Sequence, residues 1–272
     1  MPDRSGASTG AEARRLIREG HWRVPTSSLA PGYVQANLIV IPTDAADEFE
    51  ELCQRNPLPL PLLERLPVGS PAPRHVASDA DLRTDLPRYR LYRDGDLMEE
   101  TCSPLDRWPA DGCGFLLGCS FTFDALLTAA GIPVRHREAD RNVPMYCTNR
   151  PLASAGRFHG QIVVSLRPIP AEDVTRAQSL TEPLATAHGG PFHVGAPEAL
   201  GIRDLSRPDF GDPPDMRSGD VPVFWACGVT AQQAAASAHL RYAIAHAPGH
   251  MFVTDLRISP SRPLSHDRRR TA

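Results

Sequence analysis

Residues 221–230 read VPVFWACGVT, and residues 115–124 read FLLGCSFTFD. Each starts as a short apolar run suited to a buried strand, passes a small residue with a cysteine, and continues with helical spacing. One shape therefore occurs twice: buried strand, small residue with Cys, helix. No other internal repeat is visible. A helix N-terminus offers unpaired N–H groups and a partial positive charge, which suit carboxylates and developing oxyanions. Cys119, Ser120, Cys227, Gly228 and Thr230 sit at these junctions, with Thr230 as the expected N-cap of the second helix. A cysteine at a helix start also tends to a lowered pKa. The plain alternative is a small residue at a tight turn, because cysteine is common in cores. Ligands of open α/β sheets bind beyond the carboxyl ends of the strands. The strands ending at Leu117 and Ala226 are therefore expected to point at one crevice.

Outward from these junctions the chain alternates between the two periodicities. Residues 11–20 predict a short helix, Val34 to Ile41 a buried strand, and DAADEFEELCQRN from Asp44 a helix with Phe49, Leu52 and Cys53 on one face. The proline-rich segment 56–87 reads as extended chain laid on the core. RYRLYRDG predicts a strand and a tight turn at Asp94-Gly95. PVRHRE, VPMYCTN and GQIVVSLRPI read as strands, followed by a helix in AEDVTRAQSLTEPL. TAQQAAASAHLRYAIAHA reads as one helix, and GHMFVTDL as the last strand. Helix, strands and helix in succession predict a two-layer α+β unit over 115–213.

Composition removes several function classes. The 272-residue chain has a net charge of −3, so no basic excess points to nucleic acid or to an anionic membrane. No apolar run is long enough to span a bilayer, and the N-terminus lacks the apolar core of a secretory signal. The reading is a cytoplasmic protein whose six cysteines are free thiols. The chain contains no lysine, and all 29 basic residues are arginine. That excludes a Schiff-base lysine and a Walker A loop. No GxGxxG follows a strand, so no cofactor is expected, and no cysteine or histidine spacing specifies a metal. A homodimer is one open assembly.

Other segments carry candidate chemistry. HGGPFHVG places His188 and His193 on a glycine-rich loop, suited to acid/base work or to local hydrogen bonds. DLRTDLPRYR carries Arg83, Asp85 and Arg88, where an arginine could clamp a carboxylate or simply pair with an acid. Tyr33, Gln35 and Asn37 alternate onto one strand face. Asp209, Asp212, His246, His250 and Asp255 fall in PDFGD and HAPGHMFVTD, where turn and cap roles compete with catalysis.

Taken in order, PTSSLAPGYVQANL, DLRTDLPRYRLYRDG, FLLGCSFTF, VPMYCTN, HGGPFHVG, DFGD, VPVFWACGVT and PGHMFVTD resemble the D-glutamate cyclase family of hydro-lyases over about residues 12 to 258. The resemblance implies a larger three-layer α/β domain (12–114 plus 214–262) with a smaller two-layer α+β unit inserted (115–213), and flexible tails at 1–11 and 263–272. It implies conversion of D-glutamate to 5-oxo-D-proline with loss of water. The small carboxylate substrate is expected to meet Arg83, Gln35, Asn37, Ser120, Gly228, Thr230 and Asn149. His188 or His193 would shuttle protons, with Asp85 as a further base and Cys119 and Cys227 at the junctions. Three positions depart from the usual pattern: Ser28 replaces glycine, Leu60 replaces a cysteine of many members, and Cys147 replaces a basic residue. A covalent thioester is disfavoured, because forming one from a free carboxylate is uphill without ATP. Two other readings stay open: a dehydratase or lyase on another small carboxylic acid, and a non-catalytic ligand-binding protein of oxoproline metabolism.

Overall fold

The computed structural model describes residues 7–258. In chain order its elements are α1 (Gly10–Arg18), β1 (Tyr33–Pro42), α2 (Ala46–Arg55), β2 (Leu62–Arg65), β3 (Tyr89–Arg93), β4 (Asp96–Thr101), β5 (Gly112–Gly118) and α3 (Phe121–Ala129). There follow α4 (Arg135–Glu138), β6 (Met145–Pro151), β7 (Gln161–Pro170), α5 (Val174–Thr181), β8 (His193–Val194), β9 (Asp220–Ala226), α6 (Val229–Ser237), β10 (Ala243–His246) and β11 (Phe252–Arg257). One sheet runs β2-β5-β1-β10-β3-β4, with β11 also on β1, and a second runs β6-β7-β9-β8. The fold is mixed α/β, and the strand pairs of both sheets are antiparallel. The crevice geometry borrowed from open α/β sheets therefore does not describe this molecule.

The recurring strand–cysteine–helix shape is the visible part of a larger structural repeat. β1 pairs β5 from Ala36 opposite Gly118 to Pro42 opposite Gly112. β7 pairs β9 from Val164 opposite Ala226 to Pro170 opposite Asp220. Each long strand ends in Ile-Pro, turns through one 3₁₀ segment and enters a helix, α2 or α5. Each then gives a short strand, β2 or β8, on the far side of β5 or β9. One further bond repeats as well. Thr122 Oγ1 accepts from Gln35 N–H at 3.0 Å, and Thr230 Oγ1 accepts from Val163 N–H at 3.0 Å. The halves also exchange strands. β6, which follows the first half, pairs with β7, and β10, which follows the second, pairs with β1.

Strand alternation sets the packing. Ile39 and Ile41 enter a core with Phe49 and Leu52 of α2, Phe115 of β5, Val164 and Phe224 of the second sheet, and Ala231 and Ala234 of α6. Leu38 and Val40 face the other way, onto Leu66, Val76, Leu82 and Leu86 of the proline-rich segment, which is laid on the sheet as the sequence indicates. The first core contains strands of both sheets. β9, which lies within 214–262, hydrogen bonds into the smaller sheet, whereas the larger sheet takes β5.

Four local expectations change. PVRHRE carries the four-residue helix α4 rather than a strand. The helix expected through Ala247 stops at Ser237, His239 takes a φ of 46°, and Ala243–His246 forms β10 between β1 and β3. Thr230 is not the N-cap of α6: Gly228 is, without a side-chain cap, and Thr230 sits in the first turn. Of the expected tails, residues 1–6 and 263–272 lie outside the described residues. Residues 7–11 are ordered, with Ala7 buried and Thr9 capping α1 through Glu12 N–H.

Candidate functional site

β5 and β9 deliver their carboxyl ends to the same place. Cys119, Ser120 and Cys227 line one small cavity with Asn37 of β1 and His246 of β10, walled by apolar side chains such as Phe121, Met145 and Val229. The expectation that both cysteine junctions share one crevice therefore holds, although the sheets are antiparallel. The repeat explains it, since each half ends its second strand in a helix start at this point. The N-terminal turns of α3 and α6 both border the space, bringing the partial positive charge of two helices to it.

Side chains cross between the halves here. Asn37 Nδ2 donates to Gly118 O at 2.7 Å. A Cβ on Gly228 would lie 2.0 Å from Asn37 Nδ2, so glycine is required where α6 begins. In the opposite pair Ser165 of β7 faces Ser120, the residue that begins α3, Oγ to Oγ at 3.5 Å. A large strand residue thus meets glycine on one side, and two serines meet on the other.

The two cavity thiols are not activated. Burial pushes Cys227 up to about 11 and Cys119 still further up, so both are neutral thiols near pH 7. The lowered pKa expected at a helix start is overruled by desolvation. Half-buried Cys147 is likewise pushed to about 11, by burial first and then by Asp209. All six cysteines are free.

His246 is the histidine of the cavity. Burial lowers it to about 4, so it is neutral near pH 7. Gln232 Nε2 donates to His246 O at 2.9 Å and lies 3.3 Å from His246 Nε2, while Gln232 Oε1 accepts from Tyr92 Oη at 3.2 Å. Nδ1 lies 3.2 Å from both Leu38 N and Leu38 O, so both ring nitrogens meet protein partners.

The same loop, Ala247 to Met251, borders a wider, more open cleft lined by Arg88, Arg90, Glu100, Asn142, Asp209 and His250. Arg90 Nε is tied to Glu100 at 2.7 Å, whereas Arg88 lies 3.7 Å from the same carboxylate and stays substantially exposed. Asp209 and Asp212 hold this wall by accepting from Cys147 and Asn142 N–H, both at 2.7 Å. Gln35 is fully engaged as an anchor. Its Oε1 accepts from Thr26 Oγ1 at 2.8 Å, its Nε2 donates to Thr26 O at 2.8 Å, and Thr26 Oγ1 accepts from Met251 N–H at 3.0 Å.

Several residues singled out from sequence lie elsewhere. Arg83 forms a bidentate pair with Asp81 at 2.7 and 2.9 Å and lines neither space. Asp85 is fully buried and takes two bonds from Arg18, at 2.6 and 2.8 Å. His188 is buried in a left-handed conformation with Nδ1 2.9 Å from Leu58 O, and burial lowers it to about 4. His193 Nε2 meets Ala196 O at 2.8 Å on β8, and Asn149 is exposed on β6. Gly228 and Thr230 are not among the residues that line the cavity, and the Thr230 hydroxyl is spent on backbone, donating to Cys227 O at 2.6 Å and accepting from Val163 N–H. Arg167 and Asp124, fully buried and joined at 2.7 Å, carried no sequence signal. Among the described residues no group of three or more His, Cys, Asp or Glu is placed to hold a metal ion. No described helix is long and apolar enough to cross a membrane.

Comparison with known proteins agrees with the motifs. A profile described as D-glutamate cyclase matches residues 113–255. A Rubrobacter xylanophilus protein named "Putative hydro-lyase" is 56% identical over 93% of this chain and 97% of its own length. Relatives with the same kind of name from Geobacillus kaustophilus and Bacillus subtilis are 54% and 50% identical, each over 90% of this chain and 94% and 96% of their own lengths. Among solved structures, a nitrogen repressor-like protein of Methanococcus jannaschii overlaps 87% of this chain and 91% of its own, at 9% identity and a TM-score of 0.39, too weak a likeness to bear on function. The extent and identity of these matches make the chain a member of the D-glutamate cyclase family.

Proposed function

We propose that this hydro-lyase converts D-glutamate to 5-oxo-D-proline and water by non-covalent acid/base catalysis in the cavity between the two cysteine junctions. The observation that carries the reading is the convergence of two helix starts, Ser120 and neutral His246 on one desolvated space beside an arginine-lined cleft. The amine nitrogen attacks the side-chain carboxyl carbon. A C–N bond forms, a C–O bond breaks, and the two protons lost by the ammonium group leave with the oxygen as water. The helix starts and Ser120 offset the charge that gathers on the carboxyl oxygens. Neutral His246, released from its Gln232 contact, takes the amine proton and returns it to the departing oxygen, the part expected from sequence of His188 or His193. Arg88 replaces Arg83 as the group that meets the second carboxylate. Cys119 and Cys227, as neutral thiols, shape the cavity and form no thioester.

The sequence-derived division into a three-layer α/β unit and an inserted α+β unit belongs to the same proposal. Cys119 comes from 115–213 and Cys227 from 214–262, so the cavity would lie at their boundary, a common place for ligand sites. The test is chiral chromatography of 5-oxoproline formed from D- and L-glutamate, run beside a panel of small hydroxy and amino acids assayed for water loss. The expected outcome is 5-oxo-D-proline from D-glutamate. Water loss from another acid of the panel, with D-glutamate inert, would replace the substrate.

A further inference from the structure

Beneath Ser120 lies a cation that the proposed reaction has not yet used. Arg167 projects from β7 and is fully buried. Its Nε donates to Asp124 Oδ1 at 2.7 Å, Nη1 to Ser165 Oγ at 3.0 Å and Nη2 to Ser120 Oγ at 3.2 Å. The guanidinium carbon sits 4.8 Å over the Phe123 ring and 5.6 Å over Trp225, so its plane is fixed from the sides as well. Burial raises Asp124, but Arg167 and then His136 outweigh it and hold the carboxyl below its ordinary value. His136 Nε2 stands 3.3 Å from Asp124 Oδ2 without the alignment of a hydrogen bond, which leaves that oxygen unsatisfied. A buried ion pair of this kind is costly to desolvate and is weak evidence of a purely stabilising role.

A guanidinium has donors only, so Ser120 Oγ must accept from it and its own hydrogen must go elsewhere. The neighbouring Ser165 Oγ is 3.5 Å away, already accepts from Arg167, and lies 3.5 Å from Trp225 O. Among the described residues the one acceptor for the Ser120 hydrogen is Ser165 Oγ, at a long 3.5 Å that a carboxylate oxygen would outcompete, and Ser120 lines the cavity. We infer that Arg167 is a positioning residue: it holds Ser120 as a one-way donor to a carboxylate oxygen of a small dicarboxylate. This rests on reading the cavity as the site of the carboxylate chemistry.

A double-mutant cycle tests it with glutarate, a five-carbon dicarboxylate without an amine, so that turnover is not needed. Binding is measured by calorimetry for the wild type, Ser120→Ala, Arg167→Lys and the double variant, each checked by thermal melting. Lysine keeps the charge near Asp124 but cannot span Ser165 and Ser120 together. If Arg167→Lys fails to fold, the neutral pair Arg167→Gln/Asp124→Asn takes its place in the cycle. Each single change is expected to weaken glutarate about 10-fold, with the double variant within about twofold of Ser120→Ala. Additive losses, an unchanged affinity in Ser120→Ala, or no glutarate binding by the wild type would each overturn the inference. Absence of D-glutamate turnover alongside a coupled cycle would refute the substrate named above and leave Arg167 in this role.

Discussion

Arg83 and Arg88 leave the same short segment and meet different surroundings. Arg83 folds back on Asp81, whose side-chain bond raises the pKa of the guanidinium, and it is partly exposed. Such a surface pair contributes at most about 1 kcal/mol. Arg88 has only a 3.7 Å contact to Glu100 and faces the cleft. Arg83→Ala is therefore expected to leave the kinetic constants for D-glutamate within about twofold of wild type, with a small drop in melting temperature. Arg88→Ala should raise KM by about 30-fold, the equivalent of about 2 kcal/mol for one lost charge-assisted contact. Steady-state kinetics on both variants decides it, and the reverse ranking would return the clamp to Arg83. The sequence held both arginines but not the distinction. The distinction depends on Glu100 and on His250, which are remote in the chain.

At the level of elements, the strands and helices that build the cavity were legible because their periodicity is local. FLLG and VFWA are apolar runs, and the small residues after them mark the turns. The overrun of α6 has a local cause too: alanine-rich sequence favours helix, and only pairing with β1 and β3 makes a strand of Ala243–His246. Arg167 escaped for the opposite reason. In GQIVVSLRPI it reads as one more residue of a strand, and its meaning comes from Asp124 on α3. The repeat itself yields a prediction. Gly228 has an ordinary helical φ of −66°, so the obstacle to alanine there is the close contact with Asn37. Gly228→Ala is expected to cost about 2–4 kcal/mol, from overpacking and from displaced Asn37 hydrogen bonds. Asn37→Ser should restore much of that, since it recreates the small-residue pairing that Ser165 and Ser120 already make. Chemical denaturation of the two single variants and the double variant measures it. A double variant no more stable than Gly228→Ala would mean that the two halves are not interchangeable at this point.

On the scale of the whole molecule, the sheets share one apolar core, so loosening any wall of the cavity should be felt throughout. Urea unfolding is expected as a single transition. Its pH dependence follows from the buried histidines. His188 and His246 are each lowered to about 4 by burial, and burial lowers His136 as well. In the unfolded chain a histidine titrates near its ordinary value of about 6.5. Between those values the unfolded state binds more protons than the native state, so stability rises with pH there. The contribution is fully present above about pH 7 and is lost as pH falls toward 4. Each histidine can account for up to about 3 kcal/mol, an upper figure for a fully buried ring. Asp124, held low chiefly by Arg167, adds a loss of the same sign at still lower pH. Unfolding free energies from urea titrations at pH 5, 6, 7 and 8 should therefore plateau at the upper two values and drop by several kcal/mol at pH 5. Activity should follow the folded fraction and show no inflection near 6.5, because His246 is already neutral and able to accept a proton through that range. A stability flat from pH 5 to 7, or an activity limb centred at an ordinary histidine value, would mean that the cavity is open to water and that His246 titrates freely in it.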